Sequence, residues 1–452
     1  MAELQAWSGE SRVVPKLLII SRSHNPLGGA DRIIADLCRE LPARGWETVL
    51  GLTRGARFDD PDAYREVHAN LPTVEIDGTM GTRGARLNAL RSTIRSVAPD
   101  VVLSMRVFDA YEAVARLKTV NPAKAPRLMV GVRAFEAPYI SDVRRCRDNI
   151  DFCVTSGYLI AAACTEIAGL DGARVQSIGG GVHPPCVTQP KSATGGPFRL
   201  LYAGRLEQSQ KRALDLIPFV NALSDQGVAF RLEICGAGPE EDRLRRELSD
   251  YITAGKVVMC GWVDQDALYS RHYPDSDCFI HFSAWEGITI SPREAMAHGV
   301  VPVISEFTGL KAEGQFLNDV NSLTFPVGRP EVAAMHVARL ARSPERLAEL
   351  SQAAMKSQTG RYSFAGSLDA WRDALNQCME LPAVSGPFPR IPEKLDGRLT
   401  ELGVPSSLQL WIRHLIGKPV LHSEPGSEWP TASGLMTPEE NAEIVAFGRR
   451  FE

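Results

Sequence analysis

Residues 278–299 read CFIHFSAWEGITISPREAMAHG, and this stretch decides the fold. It opens with an apolar, β-branched and aromatic run at 278–282, which is too short for a helix and suits a buried parallel strand. After a glycine-containing turn, a helix is predicted to start at Ser291, with Pro292 at its first position and Gly299 as its stop. The turn therefore lies at the carboxyl end of a strand, where open α/β sheets bind ligands.

Two carboxylates, Glu286 and Glu294, flank this turn. Eight residues of helix would separate them by about 12 Å, at roughly 1.5 Å per residue. Paired glycosidase carboxylates lie about 5 to 9.5 Å apart, so the spacing suits an elongated ligand held at two points better than one bond cut between two acids. The alternative is that Glu294 closes a capping box with Ser291 and that Glu286 is a solvated loop residue.

A similar unit opens the chain. A first strand at 16–20 leads into the loop SRSHNPLGG, and a helix is predicted from about residue 30 to Gly45. Gly28 and Gly29 precede this helix, where free backbone N–H groups can receive a phosphate. The pattern is not G-x-G-x-x-G, so NAD is disfavoured. The alternative is that the two glycines only allow a tight turn.

Strands and helical patterns alternate along most of the chain. Further strands are predicted at 73–77, 101–105, 127–133, 151–156 and 175–179 and, after a linker at 190–197, at 198–204, 230–236, 256–261, 278–283 and 301–305. This order predicts an α/β protein with two tandem Rossmann-like domains that face a cleft. We place the domains at 1–190 and 191–362, followed by a C-terminal crossing helix at 363–384 and an extension at 385–452. The extension has a predicted helix at 437–449, and its composition indicates no role.

The composition excludes several classes of protein. The net charge of −4 gives no electrostatic case for a nucleic-acid partner. No apolar run approaches the roughly 18 residues that span a bilayer, and the N-terminus lacks a signal pattern, so we expect a cytoplasmic protein. The nine cysteines include no C-x-x-C pair and are expected to be reduced, without a zinc site.

The helix predicted at 83–97 is amphipathic and carries Arg83, Arg86, Arg91 and Arg95. A basic amphipathic helix can lie on an anionic membrane surface, which would place the protein peripherally at the inner face of the membrane. The favoured alternative is a helix that covers the sheet with solvated arginines.

Five ordered motifs resemble those of the GT-B glycosyltransferases in the large retaining group called family 4, and the resemblance covers residues 16–380. The motifs are LGGADRIIADLCRELPARGWE, YAGRLEQSQKR, LEICGAGPEEDRL, VVMCGWVDQDALYSRHYPDSDCFIHFS and WEGITISPREAMAHGVVPVIS. The last contains the Glu-x7-Glu element of the family. Each motif alone is modest evidence, and five in the family's order make the resemblance strong.

The resemblance implies that the second domain holds a nucleoside-diphosphate sugar. Glu286 would bind sugar hydroxyls and Glu294 the ribose. Backbone groups near them would bind the phosphates and sugar, at Gly287, Ile288, Thr289 and Ile290. Val263 would pack on the nucleobase, with an ordinary core position as the alternative.

The resemblance also assigns the charges around the diphosphate. Arg205 and Lys211 match the basic pair that neutralises the leaving group, a role that fixed cations in a closed cleft can fill without a metal. Gly28 and Gly29 would reach the same diphosphate from the first domain, which requires cleft closure. Asp275-Ser276-Asp277 is a competing D-x-D signal, because such a pair can hold a divalent metal.

The acceptor side departs from the family. Many relatives carry a histidine in the loop after the strand near 127–133, where this chain reads VRAFEAP. The candidates that remain on the acceptor side are Arg133, Glu136, Arg106 and His24.

These features predict a retaining, metal-independent glycosyltransferase of the hexosyltransferase type. It would move a sugar from a nucleoside-diphosphate donor, with UDP favoured over GDP, to an acceptor hydroxyl in bacterial-type glycan, glycolipid or glycoconjugate synthesis, with no cofactor. No side chain is placed as a nucleophile, so same-face displacement is favoured. The alternatives are a sugar-nucleotide epimerase or hydrolase on the same fold, and a non-catalytic sugar-nucleotide-binding partner subunit.

Overall fold

The computed structural model describes residues 14–26, 28–185, 189–191, 195–287, 289–392, 402–405, 408–409, 413 and 418–451. Ile288 of the predicted donor site lies outside the described residues, as do the first thirteen residues of the chain.

The first sheet has seven strands in the order β3-β2-β1-β4-β5-β6-β7. Its strands are β1 Lys16–Ser21, β2 Glu47–Arg54, β3 Thr73–Asp77, β4 Val101–Met105, β5 Arg127–Val132, β6 Phe152–Thr155 and β7 Val175–Ser177. The pairs β1–β2, β2–β3, β1–β4 and β4–β5 are parallel. The central strand β1 is buried on both faces, as expected of a parallel sheet that helices cover on both sides.

The second sheet has six strands in the order β10-β9-β8-β11-β12-β13. Its strands are β8 Phe198–Ala203, β9 Phe230–Cys235, β10 Val257–Gly261, β11 Cys278–His281, β12 Val301–Ser305 and β13 Leu323–Phe325. The strand order reverses between β8 and β11, which creates a crevice at their carboxyl ends. Phe219, Phe282 and Phe325 pack edge to face beneath this sheet, with ring centroids 5.6 and 5.7 Å apart.

Helices connect the strands. They are α1 Gly29–Glu40, α2 Pro61–Val67, α3 Arg83–Val97, α4 Phe108–Val120, α5 Ala137–Cys146, α6 Tyr158–Ala162, α7 Leu216–Asp225, α8 Glu241–Glu247, α9 Ser249–Thr253, α10 Gln265–Ala267, α11 Ile290–Ala297, α12 Leu310–Glu313, α13 Pro330–Ala341, α14 Pro344–Ser357, α15 Phe364–Glu380, α16 Pro425–Glu428 and α17 Pro438–Arg449. No helix in the described part of the chain is both long and apolar enough to cross a membrane.

The prediction of two parallel α/β sheets is confirmed, but the predicted start of α11 is wrong. Thr289 occupies the N-cap position, with no side-chain capping hydrogen bond, and Ser291 lies inside the helix. The helix ends where predicted, because Gly299 has a φ of +74°, which glycine adopts without strain.

The prediction of solvated arginines on α3 is wrong for Arg86. This residue is 5% exposed and donates to Asp109 at 2.6 Å and to the Gly81 carbonyl at 3.1 Å. Arg83 is also neutralised, by an ion pair with Glu112. Fewer arginines of α3 are therefore available to bind an anionic surface than the sequence indicates.

The chain divides into two compact units. The first takes in the residues up to Gly131, residues 148–153 and residues 372–433, and the second takes in residues 132–147, 154–371 and those from Gly434 onward. The C-terminal extension therefore contributes residues to both units.

Candidate active site

Glu286 lies in the turn between β11 and α11, in the second unit. Because β11 pairs with β8, the loops that follow these two strands lie side by side. The Ala284 N–H donates to the Gln210 carbonyl at 2.8 Å, and the Gln210 side chain donates to the Trp285 carbonyl at 3.0 Å. The two loops therefore form one continuous surface at the switch point of the second sheet.

The Glu286 side chain is 5% exposed and is contacted by one cation and by neutral hydrogen-bonding side chains. Lys211 Nζ lies 2.6 Å and His281 Nε2 lies 3.1 Å from its Oε1. Burial alone would raise the pKa of Glu286, but attraction to Lys211 and the hydrogen bond with His281 outweigh burial and hold this pKa at about 2. Glu286 is therefore a carboxylate at neutral pH, suited to accept hydroxyl hydrogen bonds and not to donate a proton.

The loop after β8 presents Lys211 to Glu286. The Glu207 carboxylate accepts the backbone N–H groups of Gln210 at 3.1 Å and of Lys211 at 2.8 Å, which fixes the loop. Arg205 donates to the Gln210 side-chain oxygen at 2.8 Å, and Gln210 Nε2 lies 3.4 Å from Glu286 Oε2. Lys211 and Glu286 are thus in direct contact, and Arg205 joins them through Gln210.

Gly287 is required by a close backbone approach. A Cβ at this position would lie 2.1 Å from the Arg133 carbonyl oxygen. Ser156 Oγ lies 3.0 Å from both the Arg133 and the Gly287 carbonyl oxygens. Any larger residue than glycine would therefore displace the turn that carries Glu286.

A small cavity opens beside this turn, with room for about one water molecule, and Glu286, Thr289, Arg293, Glu313 and Gln315 are among its lining residues. Burial raises the pKa of Glu313 to about 7. The Gln315 side-chain oxygen is buried and has no hydrogen-bond partner among the described residues. Unsatisfied buried oxygens are rare in folded proteins, so this oxygen is available to accept a hydrogen bond from a small polar group such as a hydroxyl.

Glu294 is held away from the helix cap. Its side chain accepts hydrogen bonds from the Tyr273 hydroxyl at 2.8 Å and from the Gln265 amide at 3.3 Å, and the residue is 3% exposed. The capping interpretation is wrong, because Ser291 is inside α11 and Thr289 precedes it. Side chains from outside α11 therefore hold the Glu294 carboxylate in one orientation, as expected of a group that binds a ligand.

Val263 lies two residues before Gln265, in the loop after β10. It is half-buried against the cluster that includes Tyr269 and Tyr273, and it also lines an open cavity beside Trp262. One side of Val263 therefore packs in the core, and the residue also faces a cavity in which a nucleobase could contact it.

One aspartate of the D-x-D, Asp277, pairs with an arginine. Asp277 is 4% exposed and pairs with Arg199 at 2.6 Å, and it also accepts the Arg199 backbone N–H at 2.9 Å. In the described part of the chain, the side chains that could together hold a metal are Cys235, Cys260 and His272, with ligand atoms within 4.8 Å of one another. Asp277 of the D-x-D thus has a structural role in fixing Arg199.

The first unit brings together His24, Gly28 and Arg106, at the carboxyl ends of β1 and β4. Gly28 is the N-cap of α1 and Gly29 is its first residue. Arg106 has a φ of +62°, and its Nη2 lies 3.5 Å from Asp31 Oδ2. Burial lowers the pKa of His24, and the charges of Arg22 and Arg106 add to this effect.

The other two acceptor-side candidates lie in the second unit. Arg133 is 7% exposed, and its Nη1 donates to the Ile178 carbonyl at 3.2 Å. Its backbone contacts Gly287, which ties it to the Glu286 turn. Glu136 is exposed at the N-cap of α5.

The residues of these sites that were not predicted as site residues include Glu207, Gln210, His281 and Asp31. Glu207 and Gln210 stand in the motif RLEQSQK between Arg205 and Lys211, so their place near the charges could have been read from the sequence. His281 is a polar residue at the end of an apolar strand, which is a weak signal. Asp31 resembles an ordinary acidic residue in the first turn of a helix.

Part of this chain matches a known protein family. Residues 188–357 match the family described as Glycosyl transferases group 1. This stretch holds β8 to β13 with Arg205, Lys211, Glu286 and Glu294. The match to this family therefore covers the second sheet and its site, and the solved structures described next show that the chain has the GT-B fold.

Several individual proteins are similar to this chain. One is the GDP-mannose:cellobiosyl-diphosphopolyprenol alpha-mannosyltransferase of Xanthomonas oryzae pv. oryzae (strain PXO99A), 22% identical over 383 residues, which cover 81% of this chain and 97% of the relative. The structure of Anabaena Alr3699/HepE in complex with UDP-glucose has a TM-score of 0.62 at 16% identity, over 80% of this chain and 99% of that chain. The pneumococcal O-GlcNAc transferase GtfA in complex with UDP and GlcNAc has a TM-score of 0.64 at 11% identity, over 81% and 100%.

Proposed function

We propose that this protein is a retaining glycosyltransferase that transfers a hexose-type unit from a nucleoside-diphosphate sugar to an acceptor hydroxyl. The observation that carries the proposal is the contact of Lys211 with the buried, ionised Glu286 at the switch point of the second sheet. A sugar diphosphate has the matching pattern, with two adjacent anions and a ring of hydroxyl groups.

The cations would act on the leaving group. As the bond to the anomeric carbon breaks, negative charge grows on the diphosphate, and Arg205 and Lys211 would stabilise it in a site with few water molecules. An ammonium group has three donors, so Lys211 can keep its bond to Glu286 and still reach a phosphate oxygen. This arrangement supports a mechanism that needs no divalent metal.

The two glutamates would bind different parts of the donor. Glu286, with a pKa of about 2, is too weak a base to take the acceptor proton and would instead accept bonds from sugar hydroxyls. Glu294, fixed by Tyr273 and Gln265, would accept bonds from the ribose. With no group placed as a nucleophile, the acceptor would attack from the face of the leaving group, and a donor phosphate oxygen would take its proton.

The donor and acceptor classes are drawn from the relatives. We propose a UDP-sugar as the donor, because the two similar GT-B structures described above hold UDP-glucose or UDP. A GDP-sugar is the necessary comparison, because the Xanthomonas relative is named for GDP-mannose. That relative acts on a saccharide linked to a lipid diphosphate. A lipid-linked saccharide in glycan or glycolipid synthesis is therefore the acceptor class that we propose.

We place the protein in the cytoplasm, with peripheral contact to the inner face of the membrane through α3. Arg83 pairs with Glu112 and Arg86 pairs with Asp109. The charge available for lipid head groups is therefore that of Arg91 and Arg95. Each basic residue near such a surface contributes about 1 kcal/mol. Cosedimentation with anionic vesicles at low salt, compared with a variant carrying Arg91→Gln and Arg95→Gln, tests this contact.

The function is tested by incubating the protein with UDP-glucose, UDP-galactose or GDP-mannose and with a synthetic cellobiosyl diphosphate lipid. The expected result is release of the nucleoside diphosphate and a product whose anomeric configuration, read by NMR, matches that of the donor. An inverted product would contradict the retaining mechanism. Free sugar or an epimerised donor formed without acceptor would favour the hydrolase or epimerase alternative. Absence of nucleotide binding by calorimetry would contradict the function itself.

A further inference from the structure

Residues 418–433 of the C-terminal extension lie along the carboxyl ends of the strands of the first sheet. Hydrogen bonds tie this segment to the loops that follow β2, β3 and β4. They join the Val420 N–H to the Met80 carbonyl at 2.9 Å, the His422 ring to the Gly81 carbonyl at 2.9 Å, the Trp429 ring N–H to the Arg54 carbonyl at 3.0 Å and the Phe108 N–H to the Pro430 carbonyl at 3.0 Å. The segment therefore covers the edge at which an open α/β sheet binds its ligand.

The loops are shaped to receive this segment. Trp429 is fully buried, and a Cβ at Gly78 would lie 2.5 Å from its ring. A Cβ at Gly55 would lie 1.9 Å from the Glu428 carboxylate, and one at Gly81 would lie 2.1 Å from the Val420 carbonyl oxygen. Three glycines thus leave the space that the segment fills, so the segment is an integral part of this sheet edge.

Glu428 fixes the loop that follows β2. It is 2% exposed, and its carboxylate accepts the backbone N–H groups of Arg57 at 2.7 Å, Phe58 at 2.9 Å and Asp59 at 3.1 Å. Three donors on one buried carboxylate make a strong local constraint, because hydrogen bonds to a charged group are the stronger class. The position of Asp59 therefore depends on Glu428.

Asp59 in turn fixes the loop that follows β1. Its buried carboxylate accepts from Arg22 at 2.9 Å, from the Ser23 backbone N–H at 3.2 Å and from the Thr53 hydroxyl at 2.8 Å. Arg22 also donates to the Pro425 carbonyl. The hydrogen bonds therefore run from Glu428 through Asp59 to Arg22 and Ser23, and Ser23 is the residue that precedes His24 in the chain.

The site formed by His24, Asp31 and Arg106 contains buried polar atoms that have no hydrogen-bond partner among the described residues. His24 Nδ1 and Asp31 Oδ1 are buried without hydrogen-bond partners in the part of the chain that the structure describes, and Asp31 is only 1% exposed. Arg106 adds a guanidinium next to Asp31 from a backbone conformation, φ of +62°, that costs free energy in a residue other than glycine. Buried polar atoms are normally satisfied, so these groups are free to bind a ligand.

We propose that residues 418–433 are the positioning segment of the acceptor site, and that Glu428, acting through Asp59, orients His24 so that it, with Asp31 and Arg106, binds the acceptor saccharide through its hydroxyls. This inference rests on the proposed function, since it assumes that the first unit receives an acceptor. Glu428 is a positioning residue in this proposal and does not contact the substrate.

The test is Glu428→Gln, with Glu424→Gln as the matched control, because Glu424 lies in the same segment and is exposed. The amide of Glu428→Gln keeps one acceptor oxygen but directs an NH₂ group at backbone donors. We expect the KM for the cellobiosyl diphosphate lipid to rise at least fivefold while the Kd for UDP, measured by calorimetry, changes less than twofold. We also expect the pKa of His24, followed by NMR titration of its imidazole, to rise toward its ordinary value of 6.5 as the loop becomes solvated. Glu428→Asp, which keeps the charge, should recover part of both effects.

The outcomes separate the two proposals. If the His24 titration and the transfer kinetics of Glu428→Gln match those of Glu424→Gln, the positioning role is refuted. If the wild-type protein does not use this lipid, the His24 titration alone decides the positioning role. If the wild-type protein binds neither UDP nor GDP, the proposed function fails while the His24 titration still tests the structural connection. Should Glu428→Gln not fold, the same measurements on Glu428→Asp, compared with Glu424→Gln, decide the question.

Discussion

Glu286 and Glu294 are chemically identical side chains in very different environments. One is paired with Lys211 at the switch point, and the other is held by two neutral donors, Tyr273 and Gln265. Neutral donors fix a carboxylate without cancelling its charge, so Glu294 can still bind ribose hydroxyls strongly. The low pKa of Glu286 depends on its charged partner Lys211, and the donor diphosphate would contact the same lysine.

This contrast predicts different effects of amide substitutions. Glu294→Gln should weaken binding of the bare nucleoside diphosphate and of the intact donor by similar factors, roughly tenfold or more, since a hydrogen bond to a charged group contributes about 1.5 to 3 kcal/mol. Glu286→Gln should leave the bare diphosphate affinity undiminished and lower turnover by at least about tenfold, because its contact strengthens as the sugar reaches the transition state. Calorimetry and initial rates check both, and equal losses of both ligands in both variants would refute the assignment.

The depressed pKa of Glu286 predicts how stability depends on pH. The pKa is about 2 in the folded protein and ordinarily 4.5, so the ionised group stabilises the fold above pH 4.5. This contribution is lost as the pH falls from about 4.5 toward 2. Urea unfolding of the wild type and of Glu286→Gln should therefore show the largest difference in free energy of unfolding above pH 5 and a smaller one at pH 3. A difference that does not depend on pH would contradict the ionised pair.

Among the secondary-structure elements, the turn before α11 depends on one glycine. Gly287→Ala places a methyl group 2.1 Å from the Arg133 carbonyl oxygen, so the turn must move, and we expect at least tenfold lower donor turnover. Gly84→Ala is the matched control, because a Cβ there meets no atom within 4 Å. Alanine at an exposed helix position should stabilise the protein by up to about 1 kcal/mol. Normal turnover in Gly287→Ala would show that the close approach to Arg133 is not needed.

The elements show what the sequence could and could not predict. Strands β3, β4 and β12 and helix α3 have their predicted bounds, because short apolar runs and helical periodicity are local signals. The start of α11 was wrong, since Ser291 followed by Glu294 looks like a capping box and only the packing of Tyr273 and Gln265 against Glu294 overrides it. Lys211 and Glu286 were each assigned to the donor site through the family motifs, and the ion pair between them was not predicted. The network from Glu428 to Asp59 joins residues more than 360 positions apart, and no local pattern reports such a contact.

For the whole molecule, the charge arrangement predicts activity without a divalent metal. Asp277 is committed to Arg199, while Arg205 and Lys211 stand where a leaving diphosphate would need cations. Sugar transfer should therefore keep its rate in excess EDTA, measured as nucleoside diphosphate release. Loss of turnover in EDTA that magnesium or manganese restores would mean that a metal takes part.

The late position of Glu428 in the chain has a consequence for biosynthesis. All the described strands of both sheets precede Pro326. A ribosome that has finished β13 has therefore already made Lys211 and Glu286. Residues 418–433, which complete the edge of the first sheet, emerge about a hundred residues later. A nascent or prematurely terminated chain that stops before Glu428 would thus carry its sugar-nucleotide residues without the segment that orients His24, and the order of translation itself would delay acceptor use until the segment has folded into place.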